Sequence, residues 1–243
     1  MCIRDRQAVL FIDENEASFT AVLVRIDGKR IASSQDFDSD TGQIKNDDAI
    51  LLTEAQANEL VKELHSGAWQ ISKIEEKPRT SNPRPPFTTS TLQQEAARKL
   101  RMSARQTMRN AQQLYENGFI TYMRTDSTHL SEEAIAGSRQ IISDLYGDDY
   151  LPGKANRYKT QVRNAQEAHE AIRPAHRQFR SVEDVQSALG TDTAKLYDLI
   201  WKRTIASQML PAKLKQTAVT IQNQKIEFRA NGLVKRGNSD CRT

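Results

Sequence analysis

The chain has 243 residues, 37% of them hydrophobic and 27% charged, with a formal net charge of +4. That length holds one large or two ordinary domains, and no run approaches the roughly 18 apolar residues of a membrane span. The start lacks the apolar stretch and small-residue cleavage site of a secretory leader. With cysteine confined to Cys2 and Cys241, the composition argues against a metal-binding cysteine cluster and for a reducing cytoplasm.

Residues 1–6 and 238–243 carry no pattern that joins their neighbours, and both are expected to be non-native tails. From 7 to about 45 short apolar runs alternate: Val9, Leu10, Phe11 and Ile12, then Phe19 to Ile26 around a polar Arg25. Asp27-Gly28 predicts a hairpin turn returning through Ile31. Thr53 precedes a helical pattern at Ala57, Leu60, Val61 and Leu64 that Gly67 ends, and residues 69–76 predict another strand. Pro78, Pro83, Pro85 and Pro86 then mark a stiff connector across 77–89.

Two helices come next, at about 91–101 and 104–116. Ser90 with Gln93 and Ser103 with Gln106 each fit a capping box, and Gly118 stands just past the second helix. The shape is that of a helix-turn-helix leading into a strand-like run at 118–127. Ser131 predicts the start of a helix ending near Gly147, and 148–166 predicts a polar surface loop. Helices resume at 181–189 and from 192 to about 209, where Leu196, Tyr197, Ile200 and Ile205 form a core stripe. After Pro211 strands return at 218–221 and 226–229.

Charge is unevenly placed. Between 77 and 109 stand Lys77, Arg79, Arg84, Arg98, Lys99, Arg101, Arg105 and Arg109, with Glu95 the single acid. The run suits phosphate contacts or a solvated helix face, whereas 27–59 is acid-rich. In the run at 118–127, alternation puts Tyr122 and Arg124 on one face and Thr121 and Met123 on the other. A phenol beside a guanidinium suits attack on a phosphodiester, as nucleophile and charge stabiliser. On spacing alone, such a pair is more often a packed ring beside a solvated arginine.

Three blocks carry a resemblance. Residues 118–127, Gly-Phe-Ile-Thr-Tyr-Met-Arg-Thr-Asp-Ser, resemble the active-site segment of type IA DNA topoisomerases, in the bacterial form of the family. Residues 165–174, Ala-Gln-Glu-Ala-His-Glu-Ala-Ile-Arg-Pro, and residues 86–95, Pro-Phe-Thr-Thr-Ser-Thr-Leu-Gln-Gln-Glu, agree with it in the family's order. Met123 and the form Ala168-His169-Glu170 are less similar to topoisomerase III or reverse gyrase. The resemblance runs from about 7 to 237 and covers only part of such an enzyme.

The resemblance implies an α+β multidomain architecture: a β-rich gate or arch interrupted by an inserted, mainly helical, helix-turn-helix-like domain that holds the catalytic tyrosine. The expected boundaries are 7–81 for the first gate segment, 82–211 for the helical domain and 212–237 for the second gate segment, whose strands pair across the insertion. Tyr122 is the implied nucleophile, forming a 5′-phosphotyrosine and freeing a 3′-hydroxyl, so that resealing needs no nucleotide. A phenol titrates near 10 in water and needs nearby positive charge. Arg124 is the expected phosphate clamp, its fork matching two oxygens better than a lysine. His169, Gln112, Glu116, Asp126 and Arg173 are the further DNA-contacting candidates, with Gln112 and Glu116 on one helix face and Asp126 placed to raise His169 if the two adjoin.

Two patterns are set aside. His169 and His176 do not make the zinc-protease spacing, because 173 is arginine. The acidic run from Asp36 to Asp40 lacks the glycine of a calcium loop, with Thr41 in its place, and reads as a polar turn. Nothing matches the family's acidic magnesium cluster. The expectation is therefore an enzyme that uses Mg2+ held by ligands outside this chain, a cytoplasmic, nucleoid-associated monomer acting on single-stranded and negatively supercoiled DNA, with this chain alone unable to relax it. The competing reading is a non-catalytic helix-turn-helix module binding duplex DNA in the major groove.

Overall fold

A computed structural model describes residues 7–12, 17–45, 47–158 and 170–235. The chain separates into two compact units: residues 1–80 with 213–243, and residues 81–212. Among the described residues no helix is long and apolar enough to cross a membrane.

The first unit is built on a seven-stranded sheet in the order β4-β3-β2-β7-β6-β5, with β1 also paired to β2. Its strands are β1 (Gln7–Ile12), β2 (Ala17–Ile26), β3 (Lys29–Ile31), β4 (Ala49–Ile50), β5 (Trp69–Ser81), β6 (Ala212–Asn223) and β7 (Ile226–Lys235). Asp27 and Gly28 both take positive φ, 49° and 78°, which is the geometry a two-residue hairpin turn demands. β2 pairs antiparallel with β7, from Val22 opposite Arg229 to Ile26 opposite Ile226, so segments nearly 200 residues apart in sequence share one sheet.

Alternate residues of these strands, Ala21, Ile221 and Phe228 among them, form a buried cluster that Leu60 and Leu64 of helix α1 (Glu54–Ser66) cover. Thr53 caps α1 and Gly67 ends it, as the sequence predicts. Gly67 has a packing reason as well. A β-carbon there would sit 1.9 Å from the Asn223 amide oxygen, and Asn223 is buried, donating to the Leu64 carbonyl at 3.3 Å. β5 runs five residues beyond the expected strand, through Pro78. It lies at the end of the strand order, where a residue without an N–H is tolerated.

The second unit is helical: α2 (Thr89–Leu100), α3 (Ala104–Glu116), α4 (Glu132–Tyr146), α5 (Val182–Leu189) and α6 (Thr191–Ser207). The expected start of α2 needs correction. Thr88, not Ser90, is the cap, with Thr91 completing a reciprocal pair, and Ser90 lies inside the helix. Ser103 does cap α3, accepting from the Gln106 amide at 3.2 Å. Leu92, Ala96, Ala111, Leu114, Leu196 and Ile200 meet in one buried core, joined by Phe87, Ile120, Met123 and Ile172 from the loops. The α6 stripe is core as expected, with the Tyr197 hydroxyl donating to the Arg180 carbonyl at 2.8 Å. Part of the expected surface loop is pinned instead: Asn156 donates to the Ser207 and Met209 carbonyls, each at 2.9 Å.

Candidate active site

The segment around Tyr122 leaves α3 through a tight C-terminal motif. Gly118 takes φ 72°, its amide donates to the Tyr115 carbonyl at 2.9 Å, and the Phe119 amide donates to the Leu114 carbonyl at 2.8 Å. This pair of bonds satisfies the last helical carbonyls and requires a left-handed residue, which glycine supplies without strain.

From residue 120 onward the chain runs as a loop rather than the expected strand. Only Ile120 makes a β-bridge, to Pro174, flanked by Thr121 N–H to Arg173 carbonyl at 3.0 Å and Ala175 N–H to Phe119 carbonyl at 2.8 Å. The amides that would extend the pairing are committed elsewhere, Arg173 N–H to the Thr121 hydroxyl at 3.0 Å and Phe119 N–H to the Leu114 carbonyl at 2.8 Å, so the bridge does not grow into a ladder. The alternation survives without it. Met123, Thr125 and Ser127 are buried while Tyr122, Arg124 and Asp126 are exposed.

Two threonines hold the loop from below. Thr121 Oγ1 donates to the Ala171 carbonyl at 2.7 Å and accepts from the Arg173 amide at 3.0 Å. Thr89, in the first turn of α2, has its Oγ1 2.8 Å from the Met123 carbonyl and 3.1 Å from that of Thr125, and accepts from the Thr125 amide at 2.9 Å. With Met123 in the core, the backbone on both sides of Arg124 is fixed. Above it the Tyr122 ring, 42% exposed, stands edge-on against Tyr115 of α3, with ring centroids 5.3 Å apart.

Of the sequence candidates, Gln112 and Glu116 are brought together, the Gln112 amide donating to the Glu116 carboxylate at 2.8 Å. Arg124 and Asp126 are exposed and make no ion pair or hydrogen bond among the described residues. His169 lies outside the described residues, and with it the question of its pairing with Asp126.

Arg173 is a correction. Its guanidinium is 6% exposed and turned inward, ion-paired with Glu170 at 2.7 Å and donating to the Pro174 carbonyl at 2.9 Å and to Ser131 Oγ at 3.3 Å. It anchors residues 170–175 to the start of α4, and so supports the Tyr122 loop rather than facing a ligand. Burial works to raise the Glu170 carboxyl, but the Arg173 guanidinium and the Ser131 donors together hold it below the ordinary range.

The basic run is likewise only partly free. Glu95 is buried and draws in Arg98 at 2.8 Å, Lys99 at 3.2 Å, Arg203 at 3.5 Å and Arg84 at 3.8 Å. Sequence reading missed Thr89 and Tyr115 as parts of the site. Their hydroxyl and ring are ordinary in helical sequence, and only the return of the 120–125 loop gives them a role.

Two carboxylates of the acidic run are already engaged. Asp36 is taken by Arg30 and Ser33, Asp38 by the amides of Asp40 and Thr41. Among the described residues no three histidine, cysteine or acidic side chains stand together as a metal site requires.

The family model for DNA topoisomerase matches residues 5–237, and the chain belongs to that family. The three sequence blocks thus identify it correctly as a type IA topoisomerase segment. It is 49% identical over 229 residues to DNA topoisomerase 1 of Synechococcus elongatus, covering 94% of this chain and 26% of that protein. Against DNA topoisomerase 1 of Mycolicibacterium smegmatis it is 49% identical over 220 residues, covering 88% and 23%. The solved structure of full-length topoisomerase I from Thermotoga maritima superposes with a TM-score of 0.64 at 32% identity, covering 95% of this chain and 34% of that one. The chain spans about a quarter of the length of the curated relatives it matches.

Proposed function

We propose that this chain carries the cleavage tyrosine of a DNA topoisomerase that relaxes negative supercoils by passing strands through a transient single-strand break. The Tyr122 oxygen attacks a phosphodiester of single-stranded DNA. A bond forms between that oxygen and phosphorus, and the bond from phosphorus to the 3′-oxygen breaks. The phenolic proton is lost, and the departing 3′-oxygen takes up a proton. The ester retains the energy of the broken bond, so the reverse attack by the 3′-hydroxyl reseals the strand without a nucleotide.

The observation that carries this reading is a phenol and a guanidinium without a partner among the described residues, two residues apart, both exposed on a loop whose backbone is clamped by Thr89 and Thr121. A fixed backbone with free functional groups is the arrangement preorganised catalysis needs. Arg124 holds the phosphate oxygens and offsets the charge that develops on them. Among the described residues no side chains stand together to hold magnesium, and the metal of the complete enzyme is assigned to parts beyond this chain. Taken alone, the 243-residue chain is proposed to bind single strands without relaxing a plasmid.

The test is covalent capture. The complete enzyme, quenched with denaturant on a 5′-labelled or 3′-labelled single-stranded oligonucleotide, should retain only the 3′-end label on protein, and Tyr122→Phe should retain none. Sequence-specific duplex binding with no covalent product would sink the proposal and favour a helix-turn-helix module instead.

A further inference from the structure

Within the basic run, the two arginines of α3 have a different standing from the cations gathered at Glu95. Arg84, Arg98 and Lys99 are drawn to Glu95. Arg105 and Arg109 are exposed and have no ion-pair or hydrogen-bond partner among the described residues. They lie on α3 with Gln112 and Glu116, at spacings of four, three and four, which places all four on one narrow face. The opposite face, with Thr107, Asn110, Ala111 and Leu114, is buried.

The exposed face leads to the tyrosine. Tyr115, beside its C-terminal end, is the residue that meets Tyr122. At a rise of 1.5 Å per residue, the two arginines are separated by about 6 Å along the axis, and Arg105 lies about 16 Å before Glu116. The step between the arginines is on the scale of successive phosphates in a strand.

Neither arginine is placed for the sake of the helix. Arg105 stands in the first turn, where no acidic residue is present and the helix dipole disfavours a cation. Arg109 is four residues on, and like charges at that spacing repel. Two uncompensated cations in locally unfavourable positions, aligned toward a candidate nucleophile, fit a bound polyanion better than a solvated face.

We infer that Arg105 and Arg109 form a phosphate track along α3 that guides a single DNA strand to or from Tyr122. The inference rests on the reading of Tyr122 as the cleaving residue, but binding is measured without cleavage, so the two can fail separately. The experiment is a salt titration of fluorescence anisotropy with labelled oligo-dT and the 243-residue chain, comparing Arg105→Gln/Arg109→Gln with Lys195→Gln/Lys202→Gln. The control removes equal charge from exposed lysines of α6 that are paired with Asp192 and Asp198.

Each phosphate contact contributes about 0.7 to the logarithmic salt slope on single strands. The arginine pair should therefore lower the slope by about 1.4 and weaken binding at low salt, while the lysine pair leaves the slope in place. Matching thermal melts show that both variants fold. An unchanged slope, an equal fall in both variants, a fall seen only with duplex DNA, or no single-strand binding by the parent chain each overturns the inference. Loss of the covalent adduct in the complete enzyme would instead bear on Tyr122 alone.

Discussion

The ring of Tyr115, in the last turn of α3, meets the ring of Tyr122 edge-on at 5.3 Å and an interplanar angle of 68°. Through this contact the rigid helix sets the direction of an exposed phenol that the loop backbone alone would leave free to rotate. Pairs of this geometry are worth about 0.5–1.5 kcal/mol beyond their buried area.

Tyr115→Ala should therefore slow formation of the Tyr122 adduct in the complete enzyme by up to about tenfold. Tyr115→Phe keeps the ring and should behave as the parent. Quenched-flow capture on a single-stranded oligonucleotide measures the rate, and equal losses in both variants would show that the hydroxyl, not the ring, matters.

Thr89 is the bolt of the loop. Thr89→Val removes the hydroxyl that bonds the Met123 carbonyl and the Thr125 amide and leaves those two unsatisfied, the Thr125 carbonyl keeping the residue 89 amide, at a cost of about 1–3 kcal/mol. Hydrogen exchange at the Thr125 amide should accelerate more than exchange in α6, and Thr89→Ser should restore protection. Uniform acceleration across the unit would contradict a local role.

The pairing of Glu170 with Arg173 makes the support of the loop sensitive to acid. The folded-state carboxyl is held below its ordinary value by Arg173 and Ser131, which outweigh burial. Its contribution is present above the unfolded value, about 4.3, and is lost as pH falls through the lower folded value. Glu170→Gln should lower the melting temperature at pH 7 and narrow its gap to the parent below about pH 4. A gap that stays constant with pH would refute the charge-based account.

Glu95→Gln should destabilise the helical unit by about 1.5–3 kcal/mol, the range for hydrogen bonds to charged groups. It removes the one carboxylate around which Arg98, Lys99 and Arg203 gather, and Arg203 is itself packed on the Phe87 ring at 4.3 Å. Urea unfolding followed by circular dichroism gives the value; a neutral result would mean that the cations repel little without it.

Much was legible locally. Thr53, Ser103, Ser131 and Ser181 announce helix starts at the positions where the side chains accept amide hydrogens. That Tyr122 and Arg124 share a face, opposite Met123, followed from alternation even though the strand itself did not form. Ser90 misled because Thr88, two residues earlier, offers an equivalent oxygen, and the helix starts at the cap that Phe87 positions by its burial. Arg173 misled because its motif says nothing of direction. Whether a guanidinium faces solvent or Glu170 depends on where α4 packs.

By itself, the sequence determined the family, most helix caps, the Asp27-Gly28 hairpin turn and the identity of the phenol and guanidinium at 122 and 124, because these are written in residues close along the chain. The tertiary structure decided the rest. It turned a strand-like run into a loop, since the Phe119 and Arg173 amides that would extend the pairing bond Leu114 and the Thr121 hydroxyl instead. It set Tyr115 against Tyr122 and Thr89 beneath residues 123–125, spent Arg173 on Glu170, and left Arg105 and Arg109 unpaired among the described residues while Arg84, Arg98 and Lys99 closed on Glu95. Those outcomes depend on how the elements pack, partly through contacts tens of positions apart such as Thr89 with residues 123–125 and Glu95 with Arg203, which local propensity does not encode.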